Sequence, residues 1–203
     1  MKKEIEDTVK ELKQQFHSMM NGPVSTSMRE KGLKYKVIFG VEWNRLLQIA
    51  TEYKKNSELA AALWKEDIRE CRLLAGLLQP VDKFSEDLAE VWVEDMHYPE
   101  EAQYTTLSLF QELPYASDIA FKWIADSREM FQLCGYLILA RLYMKGEELD
   151  PRRTNEFLDQ AHSTIASQNI VLRSAVNNSL LKFALLGQEE EKLVQKFLNK
   201  SFL

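Results

Sequence analysis

SELAAALWKEDIRECRLLAGLL, residues 57–78, decides the fold class. Ser57 can cap a helix running from about 58 to 64. A second helix over 66–79, carrying IRECRLLAGLL, closes at Pro80, where the ring removes an N–H and ends the hydrogen-bond ladder. Neither run shows the apolar–polar alternation of a half-buried strand. Two short helices joined by a tight turn are the unit from which the rest of the chain reads outward.

Toward the amino terminus, Ile5, Val9, Leu12, Phe16 and Met19 recur at steps of four and three, the seam of an amphipathic helix. Asn21-Gly22-Pro23 stops it, and a looser stretch follows to Gly40. A helix from Trp43 through Leu46, Leu47, Ile49, Ala50 and Tyr53 ends at Lys54-Lys55-Asn56. Toward the carboxyl terminus, Ser85 begins a helix ending near His97, and Pro99 suits the first position of one over 99–112, broken at Leu113-Pro114. Further helices are expected over 115–125, 128–145, 151–166, 170–186 and 188–200, with Gly146 and Asp150-Pro151 separating the middle ones.

The Trp-centred breaks LWKED (63–67), VWVED (91–95) and KWIAD (122–126) repeat an element at the spacing of HEAT-type helix pairs. A helix pair cannot cover its own apolar face, so stacking buries the core and bends the row into a concave groove. The expected fold is an all-α, HEAT-like solenoid of helical pairs, one domain over 1–203. Trp64, Trp92 and Trp123 sit beside Leu, Val and Ile and read as core, with each indole N–H finding a nearby carbonyl.

The 203 residues are 45% hydrophobic and 28% charged, which suits a folded domain of ordinary size. Seven Gly and five Pro are too few for the frequent turns of an all-β chain. No apolar run is long enough to cross a bilayer, and MKKEIEDTVKELKQQF is charged where a secretory signal is oily, so a cytoplasmic protein is expected. Cys71 and Cys134 lie in apolar helical stretches and read as small buried thiols. His17, His97 and His162 lack neighbours at ligand spacing, so neither metal nor cofactor is expected. Residues 37–111 carry seven Lys/Arg against fourteen Asp/Glu, so any contact with DNA must be local. The most basic segment holds Lys31, Lys34 and Lys36 beside Tyr35; it reads as a solvated connection or as a phosphate-contacting arm.

From about Tyr35 to Gly187 the residues resemble the DNA alkylation repair enzymes of the AlkD type, HEAT-like repeat glycosylases. Tyr35-Lys36 through Phe39-Gly40-Val41 is similar to that family's opening, and Leu46, Ile49 and Ala50 keep its apolar frame. Leu63-Trp64, Glu70, Arg72, Leu73, Leu74 and Ala75 fall on its most recognisable block. FKWI (121–124), Gly135-Tyr136 with Leu139-Ala140, and Ala175-Val176-Asn177 with Leu180 match later repeats. The resemblance implies a protein that cradles duplex DNA in its concave face and, in active members, releases alkylated purines. There a carboxylate and aromatic faces stabilise the cationic sugar that develops as the base leaves.

The family pattern, a Trp-Asp pair followed three residues later by the catalytic Asp, falls on HYPEEAQ (97–103). Tyr98 stands at the Trp position, Pro99 beside it, and Ala102 at the catalytic Asp. Leu133 aligns with a backbone-contacting arginine, Asn178 with a second tryptophan, and Leu47 and Gln48 with an early basic pair. Glu100 and Glu101 flank the vacancy as substitute acids. One step along a helix turns a side chain by roughly 100°, which aims Glu101 elsewhere and reads both as solvated surface glutamates. Two functions follow. One is a non-catalytic module whose groove binds double-stranded DNA or a protein partner, with Lys31, Lys34, Lys36 and Arg173 as phosphate contacts. The other is an active alkylpurine glycosylase with a rearranged site. Loss of the carboxylate favours the first.

Overall fold

Asn21 does more than end a helix. In the computed structural model, which describes residues 2–201, α1 (Lys2–Ser18) buries Val9, Leu12 and Phe16 along one face. The Asn21 side chain then accepts the Val24 N–H at 3.3 Å and, with Pro23 in the first turn, starts α2 (Gly22–Glu30). The looser stretch expected up to Gly40 is therefore partly helical. Asn-Gly-Pro is a start signal as well as a stop, because asparagine caps the new helix and proline's missing N–H costs nothing in a first turn.

Two units divide between Phe84 and Ser85. The first continues with α3 (Trp43–Thr51), α4 (Ser57–Trp64) and α5 (Arg69–Leu78). Asn56 rather than Ser57 caps α4, accepting the N–H groups of Glu58 and Leu59 at 2.8 and 3.0 Å. α5 packs on α3 and α4, and α1 packs on α4.

α5 buries Arg69, Glu70 and Arg72 beside its apolar residues, and buried charge is tolerated only when paired or hydrogen-bonded. Glu70, 0% exposed, accepts the backbone N–H of Phe39, Gly40 and Val41 at 3.1, 3.0 and 3.2 Å. Arg69 Nη1 donates to the Val41 carbonyl at 3.1 Å, and Arg72 Nη1 to the Trp64 carbonyl at 3.0 Å. The extended strap 35–41 is thereby fastened to α5. On its other side the Ser25 hydroxyl donates to the Ile38 carbonyl and Arg29 to the Tyr35 carbonyl. Tyr35 and Ile38 are buried, while Lys34 and Lys36 alternate with Tyr35 on the solvent side.

The second unit comprises α6 (Glu86–Glu94), α7 (Pro99–Ser108), α8 (Ala116–Ile124), α9 (Glu129–Met144), α10 (Pro151–Thr164), α11 (Ile170–Ala184) and α12 (Gln188–Ser201). α7, α9 and α11 pack side by side in one layer, and α8, α10 and α12 form a second against it. No strand occurs among the described residues. Gly135 lets α8 and α9 approach, since a Cβ there would lie 2.8 Å from the Ala120 carbonyl oxygen.

Trp64, Trp92 and Trp123 are core side chains. Trp123 stands edge-on to Phe110 and Phe131, with centroids 5.4 and 5.7 Å away. Contrary to expectation, its indole N–H meets no carbonyl among the described residues; the aromatic contacts that surround it are edge-to-face. Outside the core, Glu90–Lys122, Glu94–Arg128, Glu112–Lys145 and Asp118–Arg153 pair across 32 to 35 residues, the acid always in the earlier repeat. Exposed pairs of this kind contribute ~0–1 kcal/mol each. They do occupy four of the unit's eleven Lys/Arg.

Candidate functional site

The amino end of α7 is organised by its own sequence. Tyr98 caps the helix in an extended conformation and Pro99 takes the first helical position. Glu101, at the third position, folds back so that its Oε2 accepts the backbone N–H groups of His97 at 2.7 Å and Tyr98 at 3.1 Å. A carboxylate there satisfies amides that lack helical partners and sits at the positive end of the helix dipole. Glu101 is 1% exposed, so it is not the solvated surface glutamate expected. The cause is local: its spacing from the cap makes it a capping-box residue. Glu100 is half-buried, as is Tyr98, whose ring lies 6.3 Å from that of His97.

Ala102 is wholly buried. Leu133 on α9 is buried as well, 4% exposed, and contributes to the core. Asn178 on α11 faces solvent. Tyr98, Ala102, Leu133 and Asn178 thus belong to the α7–α9–α11 layer, and none of them carries charge. Arg173, also on α11, donates from Nη1 to the Ser167 carbonyl at 2.7 Å and is half-buried. Between α7 and α9 lies a cleft of about 300 Å³ lined by Gln103, Tyr104, Thr106, Leu107, Leu137 and Arg141. Arg141 is its one charged group.

Lys31, Lys34 and Lys36 belong to the other unit, exposed at the end of α2 and along the strap. The units differ in charge: residues 1–84 carry fifteen Lys/Arg and twelve Asp/Glu, residues 85–203 eleven and nineteen. Leu47 and Gln48 are exposed on α3, where Gln48 accepts a hydrogen bond from Arg45 at 2.6 Å.

The thiols are structural. Both are buried and unpaired to one another. Burial pushes Cys71 up to about 12, with nearby Glu66 adding to the shift, and burial alone raises Cys134; neither supplies thiolate at neutral pH. No group of His, Cys, Asp and Glu among the described residues is arranged to hold a metal ion. Sequence reasoning missed two working carboxylates. Glu101 was detectable from Tyr-Pro-Glu-Glu, which puts an acid three residues after the cap. Glu70 stood in the family-like block, but its role as an acceptor of backbone amides had no signal in residue type.

The sequence pattern of a family described as DNA alkylation repair enzyme matches residues 12–202. A solved structure, from a new family of proteins related to the HEAT-like repeat DNA glycosylases with affinity for branched DNA structures, superposes with a TM-score of 0.83. Its identity is 20%, over 95% of this chain and 82% of that one, so the likeness concerns the fold, which is all-α and HEAT-like. No curated protein matches the chain.

Proposed function

The chain belongs to the DNA alkylation repair enzyme family, and we propose that it is a non-catalytic member, a binding module that holds DNA without releasing a base. One observation supports the reading: Ala102, which the resemblance sets at the family's catalytic carboxylate, is buried, and the adjacent Glu101 is committed to the His97 and Tyr98 amides. Without a carboxylate beside the departing base, several kcal/mol of transition-state stabilisation are missing, on the order of the largest single electrostatic contribution to such sites. Base release from DNA carrying 7-methylguanine or 3-methyladenine therefore stays at the protein-free rate. Release above it contradicts the proposal and restores the alternative of a rearranged glycosylase.

For DNA contact we favour the first unit. It carries the excess of cations, and its strap presents Lys34 and Lys36 on one side of a backbone fixed by Glu70 and Arg29, with Lys31 at the end of α2. The relative's affinity for branched DNA supports a four-way junction as the first probe. Counterion release predicts a slope of about −0.9 in log K against log salt for each phosphate neutralised on duplex arms. Replacing Lys31, Lys34 and Lys36 by Ala flattens that slope by up to about three such contacts, whereas Arg173→Ala, whose guanidinium is tethered to Ser167, changes it least. Salt-insensitive or absent binding contradicts the DNA reading and leaves a protein partner.

A further inference from the structure

Arg141 differs from the other arginines of the second unit. It is half-buried, and its guanidinium has neither an ion pair nor a side-chain hydrogen bond among the described residues. Arg128, Arg153 and Arg173 each donate to a protein acceptor, and Arg152 is exposed. One turn further along α9, Lys145 takes both the Glu112 carboxylate at 2.9 Å and the Gln111 carbonyl at 3.0 Å. A half-buried guanidinium without an acceptor has lost part of its hydration and gained no charge-assisted bond in return.

The cleft that Arg141 lines, between α7 and α9, contains a second unmet group. Thr106 is 1% exposed, and its hydroxyl has no partner among the described residues. A helical hydroxyl often returns to the carbonyl four residues back, as that of Ser108 does to Tyr104 at 2.8 Å; that of Thr106 does not. Gln103, Tyr104, Leu107 and Leu137 complete the lining, which includes no acid in a unit that holds nineteen Asp/Glu. None of these residues is among those the family resemblance assigns.

We propose that this cleft binds a small monocarboxylate with an apolar body. Arg141 takes the carboxylate through its forked N–H groups, the Thr106 hydroxyl donates to the same group, and the body lies against Tyr104, Leu107 and Leu137. Charge selects the class: one guanidinium matches one carboxylate, whereas the unit's surplus of acids opposes a polyanionic strand. Size agrees, since a cleft of about 300 Å³ is at the small end of ligand pockets. The inference is independent of DNA binding, which is assigned to the first unit's lysines.

Benzoate is the probe, with its neutral counterpart benzamide as the control. Titrated into the 203-residue chain and followed by methyl NMR of Leu107 and Leu137, benzoate shifts both signals to saturation and benzamide does not. Arg141→Gln weakens benzoate binding by about tenfold or more, the scale of a lost hydrogen bond to a charged group, and leaves the thermal midpoint in place. Thr106→Val weakens binding as well but folds at least as stably, because it removes a buried donor that had no acceptor. Benzamide binding as well as benzoate, or benzoate binding that survives Arg141→Gln, overturns the proposal. So does a salt slope for junction DNA that Arg141→Gln flattens, which would make Arg141 a strand contact.

Discussion

The buried carboxylate of Glu70 receives the backbone N–H of Gly40 at 3.0 Å, with the neighbouring amides of Phe39 and Val41 on the same group. An apolar helix thus fixes the backbone of an irregular segment 30 residues earlier. Glu70→Gln leaves one acceptor oxygen for three backbone donors and the Arg69 guanidinium, and sets an NH2 group against at least one of them. It is expected to cost about 2–4 kcal/mol, in the range for a broken network around a buried charge. Urea unfolding monitored by circular dichroism measures it, and a loss under about 0.5 kcal/mol, the scale of an ordinary surface substitution, contradicts the role assigned to Glu70.

Gly40 and Gly32 provide an internal control. Both have positive φ, +76° and +100°. A Cβ on Gly40 would lie 2.5 Å from the Asn21 carbonyl oxygen, whereas one on Gly32 meets nothing within 4 Å. Gly32→Ala should cost only the conformational penalty of about 1–2 kcal/mol, and Gly40→Ala clearly more, because backbone must shift. Equal midpoints for the two variants would contradict the close approach of the strap to α2.

Placing an acid at position 102 by Ala102→Asp is expected to unfold rather than awaken the protein. The position is 0% exposed, and an unpaired buried carboxylate costs several kcal/mol or stays protonated. The expected result is a lower midpoint in thermal melting with no base release. A stable, active variant would show that the site needed only its charge.

Asp126 gives the acid limb of stability a specific source. The Arg128 side-chain hydrogen bond, helped by backbone N–H groups of Arg128 and Ser127, holds its carboxyl down at about 2. A folded pKa below the unfolded value of 3.8 stabilises the protein above that value, and the contribution disappears as pH falls from there toward about 2. The gap in urea midpoint between wild type and Asp126→Asn should therefore narrow over that window and stay constant above it. A gap that widens on acidification contradicts the assignment. Because the pair is partly solvated, the gap itself is small.

Helices were legible wherever a 3.6-residue apolar period met a capping residue. Val9, Leu12 and Phe16 announced α1, Ser85 capped α6 as expected, with its hydroxyl accepting the Leu88 N–H, and Pro99 opened α7. α2 was hidden because Val24 through Glu30 has no buried residue at all, leaving periodicity nothing to detect. Tyr98, Ala102, Leu133 and Asn178 were assigned to family positions by register along the chain alone. What register could not supply was the direction of a side chain: Glu101 looked like surface because its charge suggested solvent, yet two unsatisfied amides at a helix start drew it inward. Glu70 was equally opaque, since its partners are backbone groups that leave no trace in residue type.

The most direct test of a binding module without chemistry is a single-turnover assay. Protein is held in saturating excess, verified by mobility shift, over a DNA junction carrying one 7-methylguanine. Binding without release is the predicted result: the lesion should depurinate with the half-life seen in protein-free DNA. A faster release that is lost on Glu100→Gln or Glu101→Gln would identify a working acid beside Ala102 and contradict the central claim.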